Sequence, residues 1–479
     1  MANHPLRNIP SVSELLESPP LRGLVDRVSH NVVVSGVRSF LDSMRQDVQS
    51  ATADMKVPSP GELAQRIADW IAKDETATLR PVINATGIIL HTGLGRAPLA
   101  QEAIQAMADV AAGYSSLEVD LETGERSQRV LSVSKLLRQM TGAEAATVAN
   151  NNAAATLLTL SSLAKGREVI VSRGQLIEIG GSYRLPDVMA MSGARLKEVG
   201  TTNKTYLRDF EEAVTEATGA LLNVHTSNYR VVGFTQEVAL ADLVQLGHQH
   251  KLPVIDDIGS GALIDMSPYG VLDEPLAAES LRTGADITLF SGDKLLGGPQ
   301  CGVMVGRKAL IRQIMKNPLM RAVRVDKTVL AALAATLRIY RDVKVAEGSI
   351  PILALLSTSV ANLQNRAERL APQLAAAKVV ESAEPIESTT YLGGGSVPAQ
   401  AIPTWCVAIA PARSTVDALA ASLRSGSTSV FGRVQQDRLL LDLRTVFPHQ
   451  DSLLVQALES VEPEKVSKAN ENESLPVRA

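Results

Sequence analysis

The chain has 479 residues, 45% of them hydrophobic and 20% charged, which is typical of a globular enzyme with two to four domains and a sizeable core. Its formal net charge of −4 gives no global reason to bind nucleic acid, so any RNA contact must come from a local basic patch. Two distant cysteines, Cys301 and Cys406, argue against a disulfide framework or a zinc site and predict a cytoplasmic location. We expect no signal peptide and no membrane span.

Residues 1–80 are predicted to form a helical domain. Serine precedes an acidic first turn at 11–14, an apolar stripe of helical period runs through 32–44, and Pro58 and Pro60 break the chain before a helix at 61–72. Arginines are scattered here, but acidic residues balance them. The charge pattern alone favours a packing or dimerisation arm over an RNA-binding module.

A glycine-containing loop around Arg96 opens a different region. A guanidinium in such a loop suits an oxyanion, because its fork of donors matches phosphate-like groups. The competing interpretation is a solvated loop arginine, which is more common for a single residue.

A short apolar strand at 145–149 runs into a small polar turn with Asn151, Asn152 and Ala153, and a helix then continues through 163. Strand, small turn and helix start is the geometry that binds phosphate, since unpaired backbone N–H groups and the helix dipole favour an anion. Many such turns bind nothing.

Strands and helices then alternate. Strands are predicted at 168–171, 196–199, 220–224 and 252–261, and helices beginning at 177–183 and covering 207–217 and 239–250. This rhythm predicts an α/β fold with a mostly parallel central sheet covered by helices on both faces. His225 follows one of these strands, at the sheet edge where ligands bind in open α/β folds.

Asp257 stands near the end of a buried strand, where a carboxylate is costly unless a cation pairs with it. A protonated pyridinium nitrogen would be such a partner. Asp256 is expected to point the other way, because side chains alternate along a strand. A turn or helix cap is the competing role for Asp257.

Lys294 lies in a short turn between apolar strands at 285–289 and 301–305. Burial disfavours the ammonium form and makes the amine a nucleophile, as covalent attachment to the aldehyde of pyridoxal 5'-phosphate (PLP) requires. The alternative is a surface lysine beside a glycine turn.

Residues 318–327 carry a positive cluster, and a helix there would place Arg321 and Arg324 on one face. A solvated face is the usual role of such a cluster. The expected organisation is a helical domain at 1–80, a large α/β domain at 81–345, a small α+β domain at 346–462 and a disordered polar tail at 463–479. The small domain has predicted strands at 401–409 and 438–444.

Several dense motifs in one order resemble bacterial L-seryl-tRNA(Sec) selenium transferase, a family of fold-type I PLP-dependent enzymes. The motifs are HTGLGRAPL at 91–99, NNNAAA at 150–155, HTSNYR at 225–230 and SGDKLLGGPQ at 291–300. Gly93 and Cys301 depart from the residues expected at their positions, Asn and a small residue such as Ala, but neither occupies a catalytic position.

The resemblance implies a role for each candidate residue. Lys294 would bond to PLP and Asp257 would pair with its ring nitrogen. The phosphate would rest on the turn at Asn151, Asn152 and Ala153 together with Ser291, and His225 would also contact the cofactor. A last group would act on the substrates: Arg96, Arg321 and Arg324 around the selenium-donor anion, and Asp293 as an acidic neighbour of the lysine.

The implied reaction is conversion of L-seryl-tRNA(Sec) to L-selenocysteyl-tRNA(Sec) with selenophosphate, through an aminoacrylyl-tRNA intermediate, in selenocysteine biosynthesis. The resemblance also implies that residues 1–80 hold the tRNA and that the protein is a homo-oligomer, a ring of dimers with ten subunits. One alternative is a PLP-dependent lyase for a small amino acid or amino sugar, with Arg444 as a candidate for binding a free carboxylate. Another is a catalytically silent tRNA-binding protein, against which intact Lys294 and Asp257 argue.

Overall fold

The structure is a computed structural model that describes residues 9–50, 58–75, 77–180, 183–226, 229–393 and 396–462. The chain divides into two compact units, Met1–Pro81 and Val82–Ala479. The tail predicted at 463–479 and the first residues of the predicted helical domain lie outside the described residues. Within those residues, no helix is long and apolar enough to cross a membrane.

The described part of the first unit is helical, as predicted. Its helices are α1 (Val12–Leu16), α2 (Pro19–Val25), α3 (His30–Ser50) and α4 (Pro60–Asp74). Ser59 caps α4 in a reciprocal arrangement with Glu62, so two backbone donors at the helix start are satisfied. Gly36 lets α3 approach α4, because a Cβ there would overlap the side chain of Ile71.

The second unit alternates strands and helices along most of its length. Its helices are α5 (Gln101–Ala111), α6 (Leu131–Thr141), α7 (Asn152–Leu163), α8 (Leu185–Ser192), α9 (Leu207–Ala213), α10 (Leu240–Gln249), α11 (Ala277–Thr283), α12 (Lys308–Lys316), α13 (Leu319–Ala322), α14 (Lys327–Ile339), α15 (Val343–Ser349), α16 (Pro351–Ser357), α17 (Val360–Ala375), α18 (Val416–Ser425) and α19 (Asp451–Glu459). Its strands are β1 (Val82–Ala85), β2 (Ala145–Ala149), β3 (Glu168–Ser172), β4 (Glu178–Ile179), β5 (Tyr183–Arg184), β6 (Arg195–Val199), β7 (Thr218–Val224), β8 (Val254–Gly259), β9 (Ile287–Ser291), β10 (Gly302–Gly306), β11 (Val380–Gly393), β12 (Ser396–Pro411), β13 (Ser429–Gln435) and β14 (Arg438–Asp442).

The larger sheet has the order β2-β10-β9-β8-β7-β3-β6. All neighbouring strands are parallel except β10, which runs antiparallel to both β2 and β9. Every residue of β9 and β10 is buried, since helices cover both faces of the sheet. The predicted α/β fold with a mostly parallel central sheet is therefore confirmed.

A second sheet, of order β1-β13-β14-β12-β11, forms with the C-terminal helices another hydrophobic core. Its strand β1 comes from the start of the unit and pairs in parallel with β13. Val82–Ala85 thus joins a sheet made otherwise of residues 380–442. The domain boundaries at 80, 345 and 462 stay a prediction.

Three local predictions were wrong. The segment predicted to begin a helix at 177–183 contains β4 paired with β5, and α8 begins only at Leu185, with Pro186 in its first turn. Helix α9 ends at Ala213 rather than at 217, and Thr218 already starts β7. Helix α13 ends at Ala322, so Arg324 lies outside it and the shared helical face does not exist.

Candidate active site

A cavity of about 210 Å³ lies where β7, β8 and β9 end, at the sheet edge expected to bind ligands. Parallel strands bring their carboxyl ends to one edge, so residues far apart in the sequence meet there. The cavity is lined by these predicted site residues: Arg96, Asn151, Asn152, Ala153, His225, Asp257, Ser291 and Lys294.

Lys294 lies in the turn between β9 and β10 and is only 5% exposed. The turn is anchored on both sides, since Leu295 N donates to the Ser260 carbonyl and Gly292 N to the Cys301 carbonyl. Burial lowers the pKa of Lys294, with a further contribution from the Arg96 guanidinium, while nearby carboxylates oppose the shift. The structure therefore places a buried amine with a lowered pKa at the cavity, and its role as a nucleophile stays a prediction.

Asp257 is buried near the end of β8 and accepts three hydrogen bonds. Its Oδ1 accepts from Asn152 Nδ2 at 2.9 Å and from Gly259 N at 3.1 Å, and its Oδ2 accepts from Thr156 Oγ1 at 3.0 Å. Burial raises the pKa of Asp257, although these bonds and the charge of Lys294 act against the shift. Such a carboxylate is suited to a cationic partner in the cavity.

Asp256 points away from the cavity, as strand alternation predicted. Asn223 Nδ2 donates to its Oδ1 at 2.8 Å, and Asn223 in turn accepts a hydrogen bond from Gln175. The two adjacent carboxylates therefore occupy different environments, and of the two only Asp257 lines the cavity.

The start of α7 forms one wall of the cavity. The Asn151 side chain caps the helix by accepting from Ala154 N at 2.8 Å, and Asn152 and Ala153 follow it. Gly302 on β10 packs against this turn so closely that a Cβ would overlap the Asn151 carbonyl. A helix N-terminus held this way, with Ser291 beside the same cavity, offers backbone donors and a favourable dipole to an anion.

His225 follows β7 and lines the cavity with a neutral ring. Burial, together with the charge of Lys294, lowers its pKa to about 4. Its buried Nε2 has no hydrogen-bond partner within the described part of the chain. A buried polar atom left unpaired at a cavity is a candidate for contact with a ligand.

Arg96 is held by Asp293, the residue before the lysine. Arg96 Nη1 lies 2.7 Å from Asp293 Oδ2, and the two positions are 197 residues apart in the sequence. Arg96 has a φ of 62°, a backbone conformation that L-residues other than Asn and Asp seldom adopt. The ion pair and the backbone together aim this guanidinium at the cavity.

Arg321 and Arg324 do not line this cavity. They line a separate one of about 530 Å³, together with Arg126 and Arg129. Within a single chain, the structure therefore joins Arg96 to the Lys294 site and leaves the other two arginines apart from it.

Sequence reasoning missed Tyr183 and Gln300, which also line the cavity, and Thr156 and Glu274 beside it. Burial raises the pKa of Tyr183, with a further contribution from Asp257, so its hydroxyl stays neutral. Burial also raises the pKa of Glu274 to about 7. Thr156 was within reach of sequence reasoning, because it lies one helical turn after Asn152. Tyr183 was not, since its segment was predicted to begin a helix.

The residues that line the cavity are suited to binding PLP. The cavity combines a buried amine, a buried carboxylate suited to a ring cation and a helix N-terminus suited to a phosphate. Two buried polar atoms there, His225 Nε2 and Asn152 Oδ1, have no hydrogen-bond partner in the ranges that the structure describes. Among the described residues, no group of His, Cys, Asp and Glu is arranged to hold a metal ion.

Comparison with known proteins gives matches along almost the whole chain. The model of the family described as L-seryl-tRNA selenium transferase matches residues 82–447, and a selenocysteine synthase N-terminal model matches residues 6–45. The L-seryl-tRNA(Sec) selenium transferase of Moorella thermoacetica is 47% identical over 95% of this chain and 96% of its own length. That of Geobacter sulfurreducens is 45% identical over 95% of this chain and 98% of its own length.

Among solved structures, a D-glucosaminate-6-phosphate ammonia-lyase matches with a TM-score of 0.57 and 22% identity, over 80% of this chain and 95% of the other. At this level of identity the match supports the fold and carries no argument about substrate.

Proposed function

The chain belongs to the L-seryl-tRNA selenium transferase family, and from this premise we propose that it is the PLP-dependent enzyme that converts L-seryl-tRNA(Sec) to L-selenocysteyl-tRNA(Sec). The observation that carries the proposal is that a buried lysine, Lys294, and a buried carboxylate, Asp257, line one cavity. A silent tRNA-binding protein would have no use for either group.

Several cavity residues would hold the cofactor. Lys294 would bond to the aldehyde, Asp257 would keep the ring nitrogen protonated, and the start of α7 with Ser291 would take the phosphate. His225 would contact the cofactor as a neutral imidazole, so it would add no charge that competes for Asp257. PLP, when bound, supplies an electron sink for chemistry at the substrate Cα.

Proton transfer falls to residues of the chain. The amine of Lys294 would take the proton from Cα of the seryl group, since burial lowers its pKa and favours the neutral, basic form. The β-hydroxyl needs a proton to leave as water. Lys294 can supply it, because it carries the proton taken from Cα. Asp293 is the alternative acid, but as a carboxylate paired with Arg96 it would first have to leave the ion pair and take up a proton.

We propose selenophosphate as the selenium donor, bound by Arg96, Arg321 and Arg324. The fork of donors on each guanidinium suits a phosphate-like anion. Because Arg321 and Arg324 line a different cavity from Arg96, this proposal goes together with a homo-oligomer, a ring of dimers in which a neighbouring subunit completes the anion site.

The described helices of the first unit are proposed to hold the tRNA. We also place the protein in the cytoplasm, because both cysteines are free thiols and buried.

The alternative, a lyase acting on a free amino acid, requires an arginine for the substrate carboxylate. Arg444 was the candidate, but its side chain is buried and committed to the backbone. Its Nη1 donates to the Thr358 carbonyl at 2.6 Å and its Nη2 to the Pro403 carbonyl at 2.5 Å. In seryl-tRNA the carboxyl group is esterified, so a substrate without a carboxylate agrees with this arrangement.

The test combines purified protein, seryl-tRNA(Sec) and selenophosphate, and measures selenocysteyl-tRNA. We expect selenocysteyl-tRNA to form and free serine not to be turned over. Turnover of free amino acids without use of the acylated tRNA would favour the lyase. Arg96→Ala should raise the KM for selenophosphate and leave the cofactor bound, and unchanged turnover at low selenophosphate would reject this role for Arg96.

A further inference from the structure

A basic groove crosses the second unit outside the lysine cavity. It consists of two cavities, of about 600 and 530 Å³, which share the lining residues Gln128, Val130 and Met315. We define the basic groove by six cationic lining residues: Arg138, Lys308, Arg312, Lys316, Arg321 and Arg324.

Helix α12 supplies a stripe of charge along this groove. Lys308, Arg312 and Lys316 are spaced four residues apart, so they lie on one face at steps of about 6 Å along the axis. The opposite side of the helix is apolar and packed into the core, with Ile311 and Ile314 buried. This amphipathic pattern forces the three cations toward solvent.

The cations of the basic groove are not compensated by the carboxylates beside them. The lining carboxylates are Glu144 and Glu118. Glu144 accepts a hydrogen bond from the backbone N of Lys308 at 2.9 Å, and Glu118 pairs with Arg126 and Arg129. Within the described ranges, none of the six defining residues takes part in an ion pair.

We propose that the basic groove binds the phosphate backbone of the tRNA substrate, as a second contact surface in addition to the N-terminal helices. The inference rests on the proposed function, since it takes aminoacyl-tRNA as the substrate. A row of cations that form no ion pair with the described residues, on a chain of net charge −4, is the local basic patch that RNA binding requires. Covering the α12 stripe with a second copy of the chain would bury three charges without partners, which is costly. The neighbouring subunit proposed to complete the anion site would meet the groove only at its Arg321 and Arg324 end.

The inclusion of Arg321 and Arg324 in the basic groove also supports tRNA as its occupant. These two arginines are proposed to bind the selenium donor as well. RNA bound along α12 would therefore pass close to the donor anion, where the acylated end has to arrive.

The test uses the full chain loaded with PLP and the double variant Arg312→Gln/Lys316→Gln. Both positions are exposed, and neither has been given a part in catalysis. The matched control is Lys378→Gln/Arg413→Gln, which removes the same charge beside the C-terminal sheet. Binding of tRNA(Sec) is measured between 50 and 200 mM salt, together with the molecular mass in solution.

The groove variant should bind tRNA(Sec) about tenfold more weakly at 0.1 M salt, and the slope of log K against log salt should fall by about two, one for each lost phosphate contact. The control variant should stay within about twofold of wild type.

Affinity and salt slope equal to those of wild type would overturn the groove proposal and leave the proposed function standing. A changed molecular mass with unchanged tRNA affinity would also overturn it, by making the groove an interface between copies. A higher KM for selenophosphate without a change in tRNA binding would reassign the groove to a small anion. Wild-type protein that fails to bind tRNA(Sec) would overturn both proposals.

Discussion

Replacing Asp257 with Asn tests the electrostatic design of the cavity, because it removes the charge while keeping the shape. The new amide can retain the local hydrogen bonds. Its oxygen can still accept from Gly259 N, and its NH2 can donate to Thr156 Oγ1, which also lies 3.0 Å from the Asn152 carbonyl and can donate to it. We therefore expect the variant to fold normally.

Without cofactor, the variant should be at least as stable as wild type at pH 7. Burial raises the pKa of Asp257 in the folded state above its unfolded value. A raised pKa means that the folded state binds the proton more tightly, so the contribution to stability is present at low pH and is lost as the pH rises through the folded pKa. Asn has no charge to bury, so the difference in the free energy of unfolding between the two proteins should shrink toward pH 4.

With PLP bound, wild type should be more stable than the Asp257→Asn variant. A hydrogen bond between charged groups contributes about 1.5–3 kcal/mol, so PLP should bind Asp257→Asn about 10- to 150-fold more weakly. The assay is PLP titration followed by absorbance, together with thermal melts of the free and loaded proteins. Asp256→Asn is the control, because that side chain points away from the cavity, and its PLP affinity should match wild type.

Two results would refute the reasoning. One is a cofactor-free Asp257→Asn protein destabilised by more than about 2 kcal/mol, which would make the carboxylate a structural anchor. The other is PLP affinity equal to wild type, which would place the ring nitrogen elsewhere.

Three more predictions concern the other cavity residues. Lys294→Arg should lose the covalent PLP adduct seen by mass spectrometry after borohydride reduction, and turnover should fall at least about a thousandfold; an adduct that persists would place attachment elsewhere. Asp293→Asn should release Arg96 and raise the KM for selenophosphate more than the KM for seryl-tRNA; equal changes in both would argue against a positioning role. His225 has a pKa lowered to about 4, so it contributes stability above pH 6.5 that is lost as the pH falls toward 4. His225→Asn should therefore remove up to about 3 kcal/mol of that acid-induced loss in cofactor-free protein, measured by denaturant unfolding.

The elements that carry Lys294 and the α7 turn were predictable because their signals are local. An apolar run on either side of a glycine-rich turn specifies two buried strands, and small residues after a strand specify a helix start. The alternation of strands and helices likewise sufficed for the parallel sheet. At 177–183 the local signal misled, since the pairing of β4 with β5 depends on a contact between segments rather than on helical periodicity.

The residue pattern was therefore enough to specify the α/β sheet, the buried amine and the carboxylate that faces it, because burial and strand alternation are encoded over a few neighbouring positions. Only the tertiary structure shows that Asp293 pairs with Arg96, that Arg444 donates hydrogen bonds to backbone carbonyls, and that β1 completes the C-terminal sheet. The partners in each pair are separated by at least 41 residues, and no short-range pattern records which distant group a side chain will meet.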